Sequence, residues 1–262
     1  MAGNEKRVAE YLVLNKGKIL LKHLGLVTSI GAPDPDGRGS IPLDSISAVN
    51  RVLATEDSRK KADVYINGHG VSIKQTGASN LFNRLQRANL IGVFTSLAFD
   101  NPPSILNRLD VEVENFHNGR IEGRNRHWQD FFNENAFKSL LKYLMMEGSP
   151  NVQISAHPAE YILEAPSRNI SGTNINVFMF DEYFDTYKSM LKIAIRRSWY
   201  GQTSESEHKR ASGLMRKPEN ATWVFDDVAG EPAVHESGTR WRADVLPVDR
   251  KTVYFLMIEK TV

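Results

Sequence analysis

Asp63 and Lys74, with Ser72 two places before the lysine, are the side chains whose types and spacing best suit joint chemistry. They lie on two short β-rich runs, 62–66 and 71–75, on either side of Asn67-Gly68-His69-Gly70. Asn-Gly between alternating apolar residues is a strong hairpin signal. With Ile66 opposite Val71, Asp63 faces Lys74 and Tyr65 faces Ser72, about 5 Å apart at Cβ. Side chains alternate across a strand, so Val64, Ile66, Val71 and Ile73 make a core face and Asp63, Tyr65, Ser72 and Lys74 a polar one. That polar face suits hydrolysis of a phosphodiester. Asp63 can hold a hard divalent cation and the Ile73 carbonyl can add an oxygen; Mg²⁺ takes a few such oxygens beside waters and substrate phosphate. Lys74 can orient or deprotonate the attacking water, or offset charge developing on phosphorus. The same spacing also describes an ordinary solvated Asp–Lys cross-strand pair, worth up to about 1 kcal/mol.

Asp63 followed by Ser72-Ile73-Lys74 resembles the PD-(D/E)xK nuclease motif, in which an Asp on one strand and an acid-x-Lys on the next form the active site. The wording KADVYINGHGVSIKQTG is especially similar to that of type II restriction endonucleases. Ala62 stands where the family often has Pro, and Ser72 where it usually has Asp or Glu, so a second metal-binding carboxylate has to come from elsewhere. A downstream helix would place it 12 to 14 residues after Lys74, but Gln86, Arg87 and Ala88 stand there. An upstream helix offers Glu5 or Glu10 and the loop before the hairpin offers Glu56 and Asp57; Glu10 is preferred. The resemblance implies a Mg²⁺-dependent endonuclease cutting double-stranded DNA at a short sequence. In it, Asp63, Ile73 and Glu10 hold the metal, Lys74 works on water and phosphate, and Ser72 orients water or ligand. Cutting both strands makes a homodimer the natural assembly. A structure-selective repair or recombination nuclease of the same fold, and a DNA-binding protein that has lost catalysis with its second acid, are the rival readings.

The bulk properties are those of a soluble globular chain: 262 residues, 41% hydrophobic, 24% charged, with mean hydropathy −0.38. No window approaches a membrane span, and MAGNEKRVAEYL lacks the apolar stretch of a signal peptide, so a cytoplasmic protein is expected. Zero cysteines exclude disulfides and thiolate metal sites. The histidines show no paired zinc spacing. A net charge of +2 is too small to argue a nucleic-acid partner from the total; its distribution is more telling. Residues 188–217 hold eight basic side chains against Glu205 and Glu207, with Trp199, Tyr200 and Gln202 among them. Arg196, Arg197, Lys209 and Arg210 are taken from this stretch as DNA contacts. Gln75, Asn83, Arg84 and Arg87, just past the hairpin, are further ones, because Arg and Asn or Gln read base edges and hold phosphates.

These residues need elements to position them. The pattern predicts helices over 4–24, with a break at Gly17, and from Asp44 past Leu53. Further helices are predicted over 81–90, 128–147 and 181–199, the last ending on Arg196 and Arg197. Loop 31–39 and a second hairpin, 111–116 with 120–123 about Asn118-Gly119, are also read. Strands are expected at 152–155, 161–164 and 175–180, and in three runs after Thr222. The fold class is α/β: a mixed central β-sheet flanked by helices. The resemblance makes it a restriction-endonuclease-like core over 1–150, with a second, DNA-recognition lobe over 151–262.

Overall fold

The computed structural model describes residues 4–53, 60–77, 81–149, 153–226 and 240–261. In chain order it begins with α1 (Glu5–Leu14), a hairpin of β1 (Leu20–Leu21) and β2 (Gly25–Leu26), then β3 (Ile30–Pro33), β4 (Ser40–Pro42) and α2 (Ile46–Val52). The hairpin β5 (Val64–Ile66) and β6 (His69–Gln75) follows, then β7 (Leu81–Leu85), α3 (Arg87–Ser96), α4 (Pro102–His117) and β8 (Asn125–His127). Next are α5 (Glu134–Lys142) with a π-helical turn at Tyr143–Glu147, and β9 (Gly148–Ser149), β10 (Gln153–Ile154), β11 (Tyr161–Ala165) and β12 (Asn176–Phe178). The chain closes with α6 (Phe180–Tyr187), β13 (Leu191–Tyr200), α7 (Glu205–Met215), β14 (Val224–Asp226) and β15 (Lys251–Lys260). Among the described residues no helix is long and apolar enough to cross a membrane.

Contacts group these elements into two compact units. One comprises Met1–Phe82, Phe137–Leu191 and Glu259–Val262; the other comprises Asn83–Ala136 and Lys192–Ile258. The boundary expected near residue 150 therefore falls inside the middle segment of the first unit.

The first unit is a mixed six-stranded sheet in the order β12-β11-β6-β5-β3-β4. Its ladders are antiparallel apart from β11 with β6, which run parallel. The α/β expectation of a mixed sheet flanked by helices holds. On one face Val64, Ile66, Val71, Ile73, Leu163 and Ala165 pack with Val8, Ala9 and Leu12 of α1 and Val49 of α2. Side chains alternate along each strand, so Ser72, Lys74, Ile162 and Glu164 point to the opposite face, where the Phe178 and Tyr183 rings meet edge to face 5.8 Å apart.

The second large sheet has the order β14-β15-β13-β8, with β7 paired to β15, and lies mostly in the second unit. Val253, Phe255 and Met257 of β15 pack with Ala211 and Leu214 of α7.

Several local readings change, each for a physical reason. The first helix stops at Leu14, capped by Asn15, and Gly17 at φ 76 leads into β1 rather than a further turn. Residues 30–33 and 40–42 are strands, so only the tip of the expected loop 31–39 is a turn. The helix expected over 81–90 is strand β7 followed by α3: pairing with β15 overrides local propensity. The expected second hairpin is instead α4. Asn101 caps it by accepting the Ser104 N–H, Ile105, Leu106, Leu109 and Val113 form its buried stripe, and Gly119 at φ 66 ends it. The long helix expected over 181–199 breaks after Tyr187, and the β-rich run LKIAIRRSWY becomes β13. Arg196 and Arg197 therefore sit on a strand and not in the last turn of a helix. In the expected strand GTRWRADVL, the described part from Arg240 onward is turn, with Trp241 making a single bridge to Gln202.

The end of β15 ties back into the first unit. Lys260 Nζ, 3% exposed, lies 2.6 Å from Glu164 Oε1, 1% exposed, and 3.9 Å from the Tyr187 ring centre. Tyr187 donates its hydroxyl to the other Glu164 oxygen at 2.6 Å. Burial, then this hydrogen bond to a carboxylate, drives the Tyr187 hydroxyl well above its ordinary pKa. Lys260→Met is expected to cost about 3–5 kcal/mol by stranding the Glu164 charge. Adding Glu164→Gln should recover part of that loss in chemical denaturation, because the double variant leaves no unpaired buried charge.

Candidate active site

The hairpin that carries the site turns one residue pair tighter than the sequence reading has it. Val64 pairs with Val71, Tyr65 with Gly70 and Ile66 with His69, leaving Asn67 and Gly68 as a two-residue turn. Both have positive φ, 52 and 86, as a type I′ turn requires. The Asn67 side chain anchors the turn: Oδ1 accepts from the Thr28 and Ser29 N–H groups, and Nδ2 donates to the Leu24 and Leu26 carbonyls. The shift is by two residues, an even number, so the apolar face is kept.

The shift also changes how Asp63 meets Lys74. Asp63 N donates to Val71 O at 2.9 Å, one residue out of step with the ladder that begins at Val64. An offset of this kind, as in a β-bulge, re-aims a side chain. Here it turns the carboxylate toward β6, where Oδ2 accepts the Ile73 N–H at 2.7 Å. Ahead of it the chain peels away from β6, and the Lys61 and Ala62 N–H groups both donate to His157 O instead. The Ile73 carbonyl is approached by Lys74 Nζ at 3.3 Å. Asp63 and Lys74 are thus not directly opposed; Ser72 bridges them. Its hydroxyl accepts from Lys74 Nζ at 2.8 Å and lies 3.5 Å from Asp63 Oδ2.

The segment 157–160 seals the hairpin from one side. A Cβ on Gly70 would meet Pro158 O at 2.3 Å, so only glycine fits there. The Tyr65 hydroxyl lies 3.0 Å from His157 Nδ1, and His157 Nε2 is 2.7 Å from Asp34 O. A carbonyl only accepts, so Nε2 carries the proton and, in neutral His157, Nδ1 accepts from Tyr65.

The sequence reading gave no role to Lys61, the first residue of KADVYINGHGVSIKQTG. Its side chain is 8% exposed, and Nζ donates at 2.6 Å to Leu144 O in the π-helical turn. Its place two residues before Asp63 was the one available signal. Burial above all, then the nearby Lys74 charge, lowers its pKa to about 8, with Asp63 opposing. Between about 8 and the ordinary 10.5 the unfolded chain therefore binds more protons than the folded one. Metal-free protein should gain stability as pH rises through that window, by up to about 3 kcal/mol, and Lys61→Met should lack this gain. Denaturant midpoints at pH 7.5 and 9.5 for both proteins measure the difference.

Other expected site residues lie elsewhere. α1 packs on the apolar face through Val8, Ala9 and Leu12, so Glu10 belongs to the helix layer across the sheet from Ser72 and Lys74. Glu56 and Asp57 lie outside the described residues. Gln75 is partly buried at the end of β6, beside Ala165. Asn83 is on β7, its side chain outside the described residues.

In the second unit Arg84 and Arg210 come together: Arg210 pairs with Glu207, whose other oxygen takes the Ser198 hydroxyl at 2.7 Å. Burial first, then the Arg210 charge, holds the Arg84 guanidinium below its ordinary pKa, with Glu207 opposing. Arg197 stacks over Trp199 at 4.9 Å, and Lys209 pairs with Glu205 at 3.2 Å. Arg196 is partly buried on β13. Arg87, expected on DNA, is used internally: it grips both Asp110 oxygens at 2.9 and 2.8 Å and donates to Glu219 O at 2.7 Å.

Among the described residues no group of three or more His, Asp or Glu side chains converges to hold a metal. Where β5 and β6 part, the Asp63 carboxylate and the Ile73 carbonyl offer oxygens beside Ser72 Oγ, while the Glu160 carboxylate is held at the turn end by His69 and the Gly70 N–H. One carboxylate and one carbonyl fit an ion such as Mg²⁺, which keeps several waters and binds substrate phosphate directly. Comparison with known proteins adds no relative: no family model, no curated protein and no solved structure matches the chain.

Proposed function

We propose that this chain is a divalent-cation-dependent endodeoxyribonuclease of the PD-(D/E)xK type, and within it a type II restriction endonuclease that cuts double-stranded DNA at a short sequence. The observation that carries this reading is the Asp63–Ser72–Lys74 relay around the Ile73 backbone, at the point where β5 and β6 part. Asp63 and Ile73 O would hold Mg²⁺, which when bound supplies charge to stabilise the transition state and makes water a better nucleophile. The chain's own groups do the rest. The Ile73 N–H fixes the Asp63 carboxylate. Ser72 and the Ile73 carbonyl hold the Lys74 ammonium, which orients water and offsets charge gathering on the phosphate oxygens. In this reading the first unit is the restriction-endonuclease-like core. Arg84, Arg210, Lys209, Arg196 and Arg197 of the second unit contact DNA, and a homodimer cuts both strands.

Digestion of a phage genome in Mg²⁺, with sequencing of the ends, tests the proposal. Discrete fragments sharing a short sequence at or beside each end support it. A smear, or cleavage of branched DNA alone, transfers the reading to a structure-selective nuclease. Ser72 in place of an acid favours one other outcome: DNA bound but left uncut in both Mg²⁺ and Mn²⁺, as by a DNA-binding protein that has lost catalysis.

A further inference from the structure

The first unit holds a cavity of about 180 Å³ between the β3–β4 hairpin, the end of α2 and His157. Ala32, Pro33, Pro35 and Ile41 of the hairpin, with Val52 and Leu53 at the end of α2, give it an apolar lining. The hairpin wall is rigid. Ala32 pairs with Ile41, and two prolines fix the backbone on either side of Asp34. The turn is closed by Asp34 N to Gly39 O at 3.1 Å and Gly37 N to Asp34 O at 3.3 Å. His157, 5% exposed, is braced on the same turn through Nε2 to Asp34 O at 2.7 Å. Such walls are in place before a ligand enters, which spares the ordering cost of binding.

The charged side chains that line the cavity are both basic, Arg51 and Lys60. Arg51 is exposed and Lys60 partly buried, and among the described residues neither has a hydrogen bond or an ion pair. No described carboxylate is part of the lining. The Asp34 side chain, between the two prolines, turns instead to the Asp36 N–H, which Oδ1 accepts at 3.0 Å. The carbonyl end of α2 carries up to about half a negative charge, against which two cations still leave the lining positive. We propose that this cavity binds a small organic anion: a carboxylate or phosphate monoester carried on an aromatic or short apolar body. The head pairs with Arg51, which can grip two oxygens at once, and with Lys60 as a point charge. The body lies against the prolines, Ile41, Val52 and Leu53. At roughly 30 Å³ per water the space equals about six waters, which suits a ligand of about ten heavy atoms. Such binding is independent of the nuclease reading.

Titration calorimetry on the full chain, with phenyl phosphate as the probe, tests this. Phenyl phosphate should bind at least about tenfold more tightly than inorganic phosphate, which has the charge without the ring. Arg51→Gln and Lys60→Gln should each weaken it at least about threefold, and the double variant at least about tenfold. Val52→Phe puts a ring into the cavity while leaving both cations, and should weaken binding at least about tenfold. Ile41→Phe repeats the blockade from the hairpin, and melting curves show that each variant is folded. Benzoate in the same titrations shows which head the cations prefer; binding of either probe with these losses supports the site. A ring that adds nothing to the affinity of phosphate would overturn it, as would binding that survives both blocking substitutions or the double charge variant in folded protein. No binding of either probe at about 10 mM would overturn it too.

Discussion

In the proposed nuclease, Asp63→Asn is expected to leave duplex DNA intact while still binding it. Asn has the same shape, and its Oδ1 can go on accepting the Ile73 N–H that Asp63 holds at 2.7 Å. The parting of β5 and β6 should therefore persist. What disappears is the negative charge that would hold the cation; among the described residues no group of three or more acidic or histidine side chains converges there to replace it. Cleavage should fall at least about 10³-fold, roughly 4 kcal/mol of transition-state stabilisation. Affinity for duplex in EDTA should be unchanged or higher, since one negative charge is lost beside the phosphate path. Timed digests and gel-shift titrations on the same preparation measure both. Cleavage above a tenth of the wild-type rate would take Asp63 out of the metal site.

Lys74→Ala removes the other end of the relay. Its ammonium donates to Ser72 Oγ at 2.8 Å and to Ile73 O at 3.3 Å, so the variant loses the group that orients water and stabilises charge on the phosphate. A loss of about 10²–10⁴-fold in single-turnover cleavage is expected. The effect should fall on kcat more than on KM, because that charge is needed mostly in the transition state. Lys74 is only half-buried, so its truncation should alter stability by no more than about 1 kcal/mol. Equal cleavage by Lys74→Ala would exclude this lysine from the mechanism.

The hairpin was legible because Asn-Gly and strict alternation are local signals, and a two-residue error in pairing preserves which face each side chain takes. The Ser72 bridge was not legible, since it depends on the one-residue offset at Asp63, which arises where His157 draws the Lys61 and Ala62 amides away. Lys61 was hidden for a related reason: its burial comes from a turn more than eighty residues along the chain. α4 shows how a shared signal misleads, because Asn118-Gly119 ends a helix with the residues that would turn a hairpin. β7 and β13 became strands through pairing in their own sheet, a tertiary effect that helical spacing in the sequence concealed.

The pairing of Glu164 with Lys260 bears on when the first unit can close during synthesis. Glu164 lies beside Lys74 in the parallel ladder, yet its counter-charge is ninety-six residues further along the chain. During synthesis the nascent polypeptide would expose or strand that carboxylate until the ribosome has passed residue 260. Such a distant contact also slows closure of the sheet. The first unit would therefore complete this part of its sheet only once both partners of the pair are free of the ribosome.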